Sequence, residues 1–229
     1  MSETSTRVVS RRRRGNGAQQ EEVVLPQWAM ECVRHAGRTL SRLLWQIRYV
    51  GIENIPPTGG LIVAANHQTY IDPFWIGFPI RRPQRFLAWD EAFDWPVVGR
   101  LMGLLGAWPL QLERSGPAAI RRTLQWLRDG GVVTIFPEGG RALPDGSMSR
   151  FKPGAVRMAL EANVPILPVT IRGAHRIWPK GYRFPRIASV EIIYHPLHYV
   201  TPQEGEDARL CARRESDHLS EIIGEELKK

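Results

Sequence analysis

A chain of 229 residues, 43% of them hydrophobic, is long enough to bury one sizeable core, and this length favours a single domain. Its two cysteines, Cys32 and Cys211, lie far apart without the spacing of metal ligands, which argues against a disulfide framework or a zinc site and fits a reducing compartment. The formal net charge of +8 points to an anionic partner: nucleic acid, an acidic membrane surface or a phosphorylated ligand.

The first 25 residues are predicted to be a disordered tail, because they are mostly polar and charged and contain no aromatic side chain. Four arginines, Arg11–Arg14, are followed by polar residues rather than by an apolar stretch, so no signal peptide is expected. No apolar run approaches the ~18 residues that a membrane-spanning helix needs. We therefore expect no transmembrane helix.

Residues 26–50 are predicted to form an amphipathic helix, since apolar side chains recur at spacings of three and four residues and arginines occupy much of the opposite side. The apolar arc consists of Val33, Ala36, Leu40, Leu43, Leu44 and Ile47. Two placements fit this pattern. The helix can lie in a membrane interface, where Trp28 and Trp45 favour the headgroup level, or it can pack on the domain with its arginines in water.

The segment 51–229 alternates between short apolar runs and amphipathic stretches. The predicted strands lie at 60–66, 85–88, 108–112, 132–136, 165–172 and 189–194. The predicted helices lie at 73–78, 95–105, 117–129 and 155–162, with a last helix that ends near 227. This alternation predicts a single α/β domain with a largely parallel or mixed sheet flanked by helices. In such sheets ligands gather beyond the carboxyl ends of the strands.

A histidine and an aspartate occupy the turn after the first of these predicted strands. His67 follows Asn66 at the end of the strand, and Asp72 precedes Pro73, where aspartate suits a helix N-cap. Asp72 can reach back and hold one ring nitrogen of His67, which leaves the other nitrogen to take a proton. Alone, such a pair is more often a structural hydrogen bond.

Three further blocks follow this pair in order: GAWPLQLER at 106–114, FPEGGR at 136–141 and VPILPV at 164–169. Together with NHQTYID at 66–72 they resemble the four ordered blocks of the glycerolipid acyltransferase family, of the lysophosphatidic acid acyltransferase type. The resemblance covers roughly residues 45–200. One departure is Gly140, where the family usually has threonine or serine, so a hydroxyl near the expected phosphate site is missing.

The resemblance implies transfer of a fatty acyl group from acyl-CoA or acyl-carrier protein to the free hydroxyl of 1-acyl-glycerol-3-phosphate. His67 would be the general base, Asp72 would orient it, and Glu138 would bind the acceptor. Asn66 adjoins the turn whose backbone N–H groups are candidates for stabilising the oxyanion, and we assign it to the substrate site. Because the chain has no G-x-S-x-G elbow, we expect direct attack rather than an acyl-enzyme. No metal or other cofactor is implied.

The acceptor phosphate needs fixed cations and close backbone donors. Arg114 and Arg141 can grip a phosphate with two N–H groups each, and Lys152, in the FKPG sequence after FPEGGR, can add a point charge. Gly139 and Gly140 would let backbone N–H groups approach the anion closely. Since His67, Arg114 and Glu138 all lie at or just past predicted strand ends, we expect them to share one edge of the sheet.

Other functions stay open. The missing hydroxyl at Gly140 keeps another lysophospholipid, or a lyso-aminolipid, as an alternative acceptor. A non-catalytic lipid-binding module of the same fold is a second alternative. A nucleic-acid binder would account for Arg11–Arg14, but no zinc pattern, RNA-binding strand motif or basic recognition helix accompanies them, so no nucleic acid is expected as a partner. The expected location is the cytoplasmic face of a membrane, as a peripheral protein.

Overall fold

The computed structural model describes residues 26–88, 106–109, 117–143, 145–178 and 184–229. Within these ranges the chain forms five α-helices and seven strands. The helices are α1 (Gln27–Trp45), α2 (Asp72–Gly77), α3 (Pro117–Arg128), α4 (Gly154–Ala162) and α5 (Ala208–Leu227). The strands are β1 (Arg48–Val50), β2 (Leu61–Ala65), β3 (Gln84–Ala88), β4 (Ala107–Pro109), β5 (Val132–Ile135), β6 (Ile166–Arg172) and β7 (Glu191–Tyr194).

The strands form one mixed sheet in the order β1-β7-β6-β2-β5-β3-β4. Strands β6, β2, β5, β3 and β4 run parallel to one another, whereas β7 is antiparallel to β6 and carries β1 parallel to itself. The carboxyl ends of β2, β5 and β6 therefore meet at one edge. The predicted α/β domain with a largely parallel or mixed sheet is confirmed.

Both faces of the sheet are covered, and β2 shows why its sequence is apolar throughout. Leu61, Val63 and Ala65 pack into the core that α2 covers, while Ile62 and Ala64 pack into the core under α3, α4 and α5. Successive side chains of a strand point to opposite faces, so a strand between two helical layers needs apolar residues at every position. All five of these side chains are fully buried.

The helix predicted over 26–50 ends earlier than expected. Gln46 adopts a left-handed conformation with φ of 43°, and the chain then continues into β1, which pairs with β7 at the edge of the sheet. The backbone N–H of Arg48 donates to the carbonyl of Val190, so β7 recruits these residues into the sheet. The helix predicted over 95–105 lies outside the described residues, and so does the predicted tail at 1–25.

Helix α1 turns the apolar side chains at 33, 36, 40, 43 and 44 away from the sheet, whereas Ile47, beyond the end of the helix, is buried in the core. Its inner face contains the buried Arg34 and Ser41, and Gly37, whose backbone lies against the Phe78 ring. The Arg34 guanidinium donates to the carbonyl of Arg82, and Ser41 accepts the indole N–H of Trp75. Trp28 and Leu43, by contrast, are 72% and 76% exposed.

Helix α1 therefore packs on the domain through Arg34, Gly37 and Ser41 rather than through its apolar side chains. Small residues at 37 and 41 allow the helix to approach closely, and polar groups of the domain match the inward guanidinium and hydroxyl. Among the residues described, no helix is both long and apolar enough to cross a membrane.

Two leucine-to-alanine substitutions test the orientation of α1. Leu61→Ala removes a fully buried side chain from the central strand and should lower the free energy of unfolding by about 2–5 kcal/mol. Leu43→Ala makes the same chemical change at an exposed position of α1 and should change it by less than about 0.5 kcal/mol. Urea unfolding measures both, and a Leu43→Ala cost equal to that of Leu61→Ala would mean that the arc is buried.

Candidate functional site

The loops that follow β2, β5 and β6 meet at the carboxyl edge of the sheet. His67 lies in the first loop, Glu138 in the second and His175 in the third. Parallel pairing of β2 with both β5 and β6 brings these three loops together, although they are far apart in the sequence. The expected meeting of His67 and Glu138 is observed, whereas Arg114 lies outside the described residues.

The Asp72 carboxylate organises the loop after β2. It is fully buried, and its Oδ2 lies 3.0 Å from His67 Nδ1 and accepts the backbone N–H groups of Gln68 (2.5 Å) and Thr69 (2.7 Å). Its Oδ1 accepts the Thr69 hydroxyl at 2.6 Å. Four donors around one buried carboxylate compensate for its lost hydration and hold the loop in a single conformation.

Asp72 is not the N-cap that the sequence suggested. Helix α2 begins at Asp72 itself, and the capping position is Ile71, which provides no side-chain cap. The carboxylate instead points back into the preceding loop, because the N–H groups of residues 68 and 69 and the imidazole are available to it there. The contact expected between Asp72 and His67 is formed.

The His67 ring is held on two sides and open on a third. It stacks on Phe136 with ring centroids 4.1 Å apart, and its Nδ1 contacts Asp72. A carboxylate accepts, so the hydrogen-bond network assigns the imidazole proton to Nδ1 and leaves the lone pair on Nε2. Nε2 makes no hydrogen bond to any described residue, and the side chain is 17% exposed. This arrangement can accept a proton from a bound hydroxyl.

Both carboxylate oxygens of Glu138 accept hydrogen bonds from backbone N–H groups. Oε1 accepts the N–H of His67 and Oε2 that of Ser149, each at 2.7 Å. Burial raises the pKa of the Glu138 carboxyl above its ordinary value, while the two backbone hydrogen bonds lower it. The carbonyl of His67 also accepts the N–H of Ala142 at 2.6 Å. The loop after β5 thus binds the backbone of His67 through both its amide and its carbonyl, which the sequence did not indicate.

The Asn66 side chain forms hydrogen bonds with the backbone of β6. Its side chain is buried, its Oδ1 accepts the N–H of Ile171 at 2.7 Å, and its Nδ2 donates to the carbonyl of the same residue at 2.9 Å. The amide therefore pairs with β6 as a strand would and extends the sheet by one residue. Both polar atoms have backbone partners, and the assignment of Asn66 to the substrate site stays a prediction.

The glycine turn after β5 contains two glycines with different surroundings. Gly139 has a φ of 70°, a left-handed conformation that favours glycine, and its backbone lies beneath the end of the flexible Lys152 side chain. Gly140 faces open space, with nothing within 4 Å of a Cβ. Lys152 is exposed, and Arg141 lies with its guanidinium carbon 3.9 Å from the centre of the Tyr70 ring.

Gln68 also belongs to this site, although the sequence does not indicate it. It is buried, its Oε1 accepts the N–H of His175 at 3.1 Å, and its Nε2 lies 3.4 Å from the carbonyl of Gly146. Its amide thus links the loop after β2 to the other two loops. Partners 78 and 107 residues away leave no local sequence signal. Thr69, in contrast, lies three residues before Asp72, a spacing at which a hydroxyl commonly contacts a turn carboxylate.

Comparison with known proteins agrees with this fold and arrangement. A family model described as Acyltransferase matches residues 46–172. A 1-acyl-sn-glycerol-3-phosphate acyltransferase of Pseudomonas aeruginosa is 30% identical over 81% of this chain and 73% of that protein. The chloroplastic 1-acyl-sn-glycerol-3-phosphate acyltransferase LPAT1 of Arabidopsis thaliana is 30% identical over 67% of this chain and 44% of that protein.

An algal relative and a solved structure extend the comparison. A 1-acyl-sn-glycerol-3-phosphate acyltransferase of Chlamydomonas reinhardtii is 31% identical over 79% of this chain and 55% of that protein, so the chain spans about half the length of its plant and algal relatives. The crystal structure of the 1-acyl-sn-glycerophosphate (LPA) acyltransferase PlsC of Thermotoga maritima superimposes with a TM-score of 0.68 at 25% identity, over 88% of this chain and 78% of that one. Because the matched region spans more than half of the chain and includes the loops of His67 and Glu138, the chain belongs to the acyltransferase family.

Proposed function

We propose that the chain transfers a fatty acyl group from acyl-CoA or acyl-carrier protein to the free hydroxyl of 1-acyl-glycerol-3-phosphate, giving phosphatidic acid. The names of the relatives in Pseudomonas aeruginosa and Chlamydomonas reinhardtii support this acceptor. The observation that carries the proposal is the contact of His67 Nδ1 with the buried Asp72 carboxylate, which leaves Nε2 available at the edge of the sheet.

The proposed mechanism is direct attack. The lone pair on His67 Nε2 takes the proton of the acceptor hydroxyl as its oxygen bonds to the thioester carbonyl carbon. The tetrahedral intermediate then breaks its carbon–sulfur bond, and the imidazolium returns the proton to the departing thiolate. Asp72 stabilises the imidazolium while it exists, and proton transfer by a positioned base contributes typically about 10²- to 10⁴-fold to a rate.

The glycine turn and its neighbours are the proposed site for the acceptor phosphate. Arg141 and Lys152 form no ion pair with a carboxylate in the part of the chain that the structure describes, so their charges are available to an anion. The backbone N–H groups at Gly139 and Gly140 would add uncharged donors. Arg114 is included in this site on the family resemblance alone.

One observation supports an alternative acceptor. Gly140 lacks the hydroxyl that the family usually has at this position, and no atom lies within 4 Å of a Cβ there to take its place. Another lysophospholipid, or a lyso-aminolipid, is therefore the alternative substrate. The chemistry at His67 and Asp72 would be unchanged.

We also propose that α1 lies on the membrane that supplies the lipid acceptor, as a peripheral contact on the cytoplasmic face. The exposed apolar arc of α1, with Trp28 beside it, supports this placement. Arg42, exposed in the last turn of α1, adds positive charge to the same helix. Each basic residue close to an anionic membrane surface contributes about 1 kcal/mol of attraction.

Replacing His67 tests the reaction and the role of the base. His67→Ala should lower thiol release from oleoyl-CoA with lysophosphatidic acid by about 10²- to 10⁴-fold, because the hydroxyl loses its base. His218→Ala, which truncates a half-exposed histidine of α5, is the matched control and should keep the wild-type rate. An unchanged rate in His67→Ala would exclude the base assignment.

The same assay identifies the acceptor when a panel of lysophospholipids replaces lysophosphatidic acid. Release with another acceptor, but not with lysophosphatidic acid, would keep the mechanism and select the alternative substrate. If no acceptor supports release from oleoyl-CoA, acyl-carrier protein is tested as the donor. The absence of thiol release with either donor would favour the non-catalytic lipid-binding alternative.

Glu138→Gln separates backbone support from acceptor binding. The glutamine amide has one oxygen and one NH2 group, so its NH2 group faces one of the two backbone N–H groups and cannot accept from it. A buried N–H without an acceptor costs about 1–3 kcal/mol. We expect a lower melting temperature and a lower kcat, with little change in KM for the acceptor. Glu221→Gln, at a side chain that is 74% exposed, is the control. A raised acceptor KM at an unchanged melting temperature would instead indicate direct contact with the acceptor.

Vesicle flotation tests the membrane contact of α1. The protein should float with vesicles that contain phosphatidylglycerol, and Leu40→Glu/Leu43→Glu should reduce flotation, because two carboxylates enter the exposed apolar arc. The control is Ile120→Glu, an exposed apolar residue on α3. Wild-type protein that stays unbound at low salt would rule the contact out.

A further inference from the structure

Arg141 has a neighbour that the four sequence blocks do not assign to any role. Its Nη2 donates to the Tyr70 hydroxyl at 3.1 Å, and its guanidinium carbon lies 3.9 Å from the centre of the same ring. Trp178 contacts Tyr70 edge-on, with ring centroids 5.9 Å apart and an interplanar angle of 81°. A half-exposed tyrosine thus lies between a tryptophan and the arginine.

Contact with an aromatic ring suits an arginine that must bind an anion. A guanidinium over an aromatic ring is attracted by the electrons of that ring, and its N–H groups outside the contact still point outward. No carboxylate among the described residues neutralises Arg141, so the positive charge is retained. The ring restricts the flexible arginine before any ligand binds, which reduces the entropy lost on binding.

Tyr70 is itself held by the machinery around His67. The residue before it, Thr69, gives both its N–H and its hydroxyl to Asp72. The residue after it, Ile71, donates its N–H to the Thr69 hydroxyl at 3.2 Å. The backbone on both sides of Tyr70 is therefore anchored to the carboxylate that also contacts the His67 imidazole.

We propose that Tyr70 is a positioning residue that holds Arg141 in the orientation that receives the phosphate monoester of the acceptor. This inference depends on the proposed function, in which Arg141 binds that phosphate. Tyr70 couples two parts of the site: the loop that carries the base also sets the direction of the cation that anchors the acceptor. The distance between the acceptor hydroxyl and His67 is then set by one rigid loop.

Kinetics of Tyr70 variants test the inference. Tyr70→Leu removes the ring and should raise KM for lysophosphatidic acid about 2- to 10-fold, the penalty expected for ordering one long side chain on binding. The kcat, the KM for the acyl donor and the melting temperature should stay near wild type. Tyr70→Trp retains an aromatic face for the guanidinium and should keep a KM close to wild type. Tyr199→Leu, at another exposed tyrosine, is the matched control.

A double-mutant cycle shows whether Tyr70 acts through Arg141. Tyr70→Leu should add nothing to the KM of Arg141→Ala, because the residue that it positions is already gone. Additive effects, or equal KM values in wild type and Tyr70→Leu, would overturn the inference. If Tyr70→Leu lowers the melting temperature, Tyr70→Phe and Tyr70→Trp are compared instead, because both keep an aromatic ring. A raised KM for lysophosphatidic acid in both variants, at an unchanged melting temperature, would also overturn the inference.

The failure of this inference and that of the proposed function are distinguishable in the wild-type protein. Calorimetric titration with lysophosphatidic acid and the thiol-release assay both report on the wild type before any variant is made. A wild-type protein that neither binds nor acylates lysophosphatidic acid overturns the proposed function and this inference with it. A wild type that does both, beside a Tyr70→Leu variant with the same acceptor affinity, overturns the inference alone.

Discussion

The buried carboxylate of Asp72 is the interaction on which the edge of the sheet depends. A carboxylate without water must have its oxygens satisfied, and here two backbone N–H groups, a hydroxyl and an imidazole nitrogen satisfy them. The same four bonds fix the loop after β2, orient the His67 ring and hold Thr69, whose hydroxyl in turn accepts the N–H of Ile71 on the other side of Tyr70. Loss of any one donor would leave part of a charge buried without compensation, which gives the loop a strong preference for one conformation.

The loops that surround His67 are braced by side chains that bond to backbone rather than to each other. Glu138 accepts N–H groups from two loops, Asn66 pairs with β6, and the Gln68 amide reaches the loops after β5 and β6. Catalytic groups need positions that hold to within a fraction of an ångström, and loops provide this only when other groups restrain them. Glu138 and Asn66, which the sequence assigns to substrate binding, thus also hold the loops of the site in place.

Helix α1 reverses the usual rule for an amphipathic helix on a globular domain. Its polar and small residues face the domain and its apolar arc faces outward. A continuous exposed apolar surface is unfavourable in water and is typical of sites that contact a protein or a membrane. The proposed membrane contact of α1 would cover this exposed apolar surface.

The sequence by itself determined the α/β class, most helix and strand positions, and the pairing of His67 with Asp72, because these depend on local periodicity and on contacts between residues close in the chain. The early end of α1 depended on pairing with β7, which lies more than 140 residues away. The inward face of α1, the backbone partners of Glu138 and Asn66, and the contact of Arg141 with Tyr70 also required the tertiary structure. In each of these, polar or small side chains form the contact across distant segments, and hydrophobic periodicity carries no information about which distant polar group will be the partner.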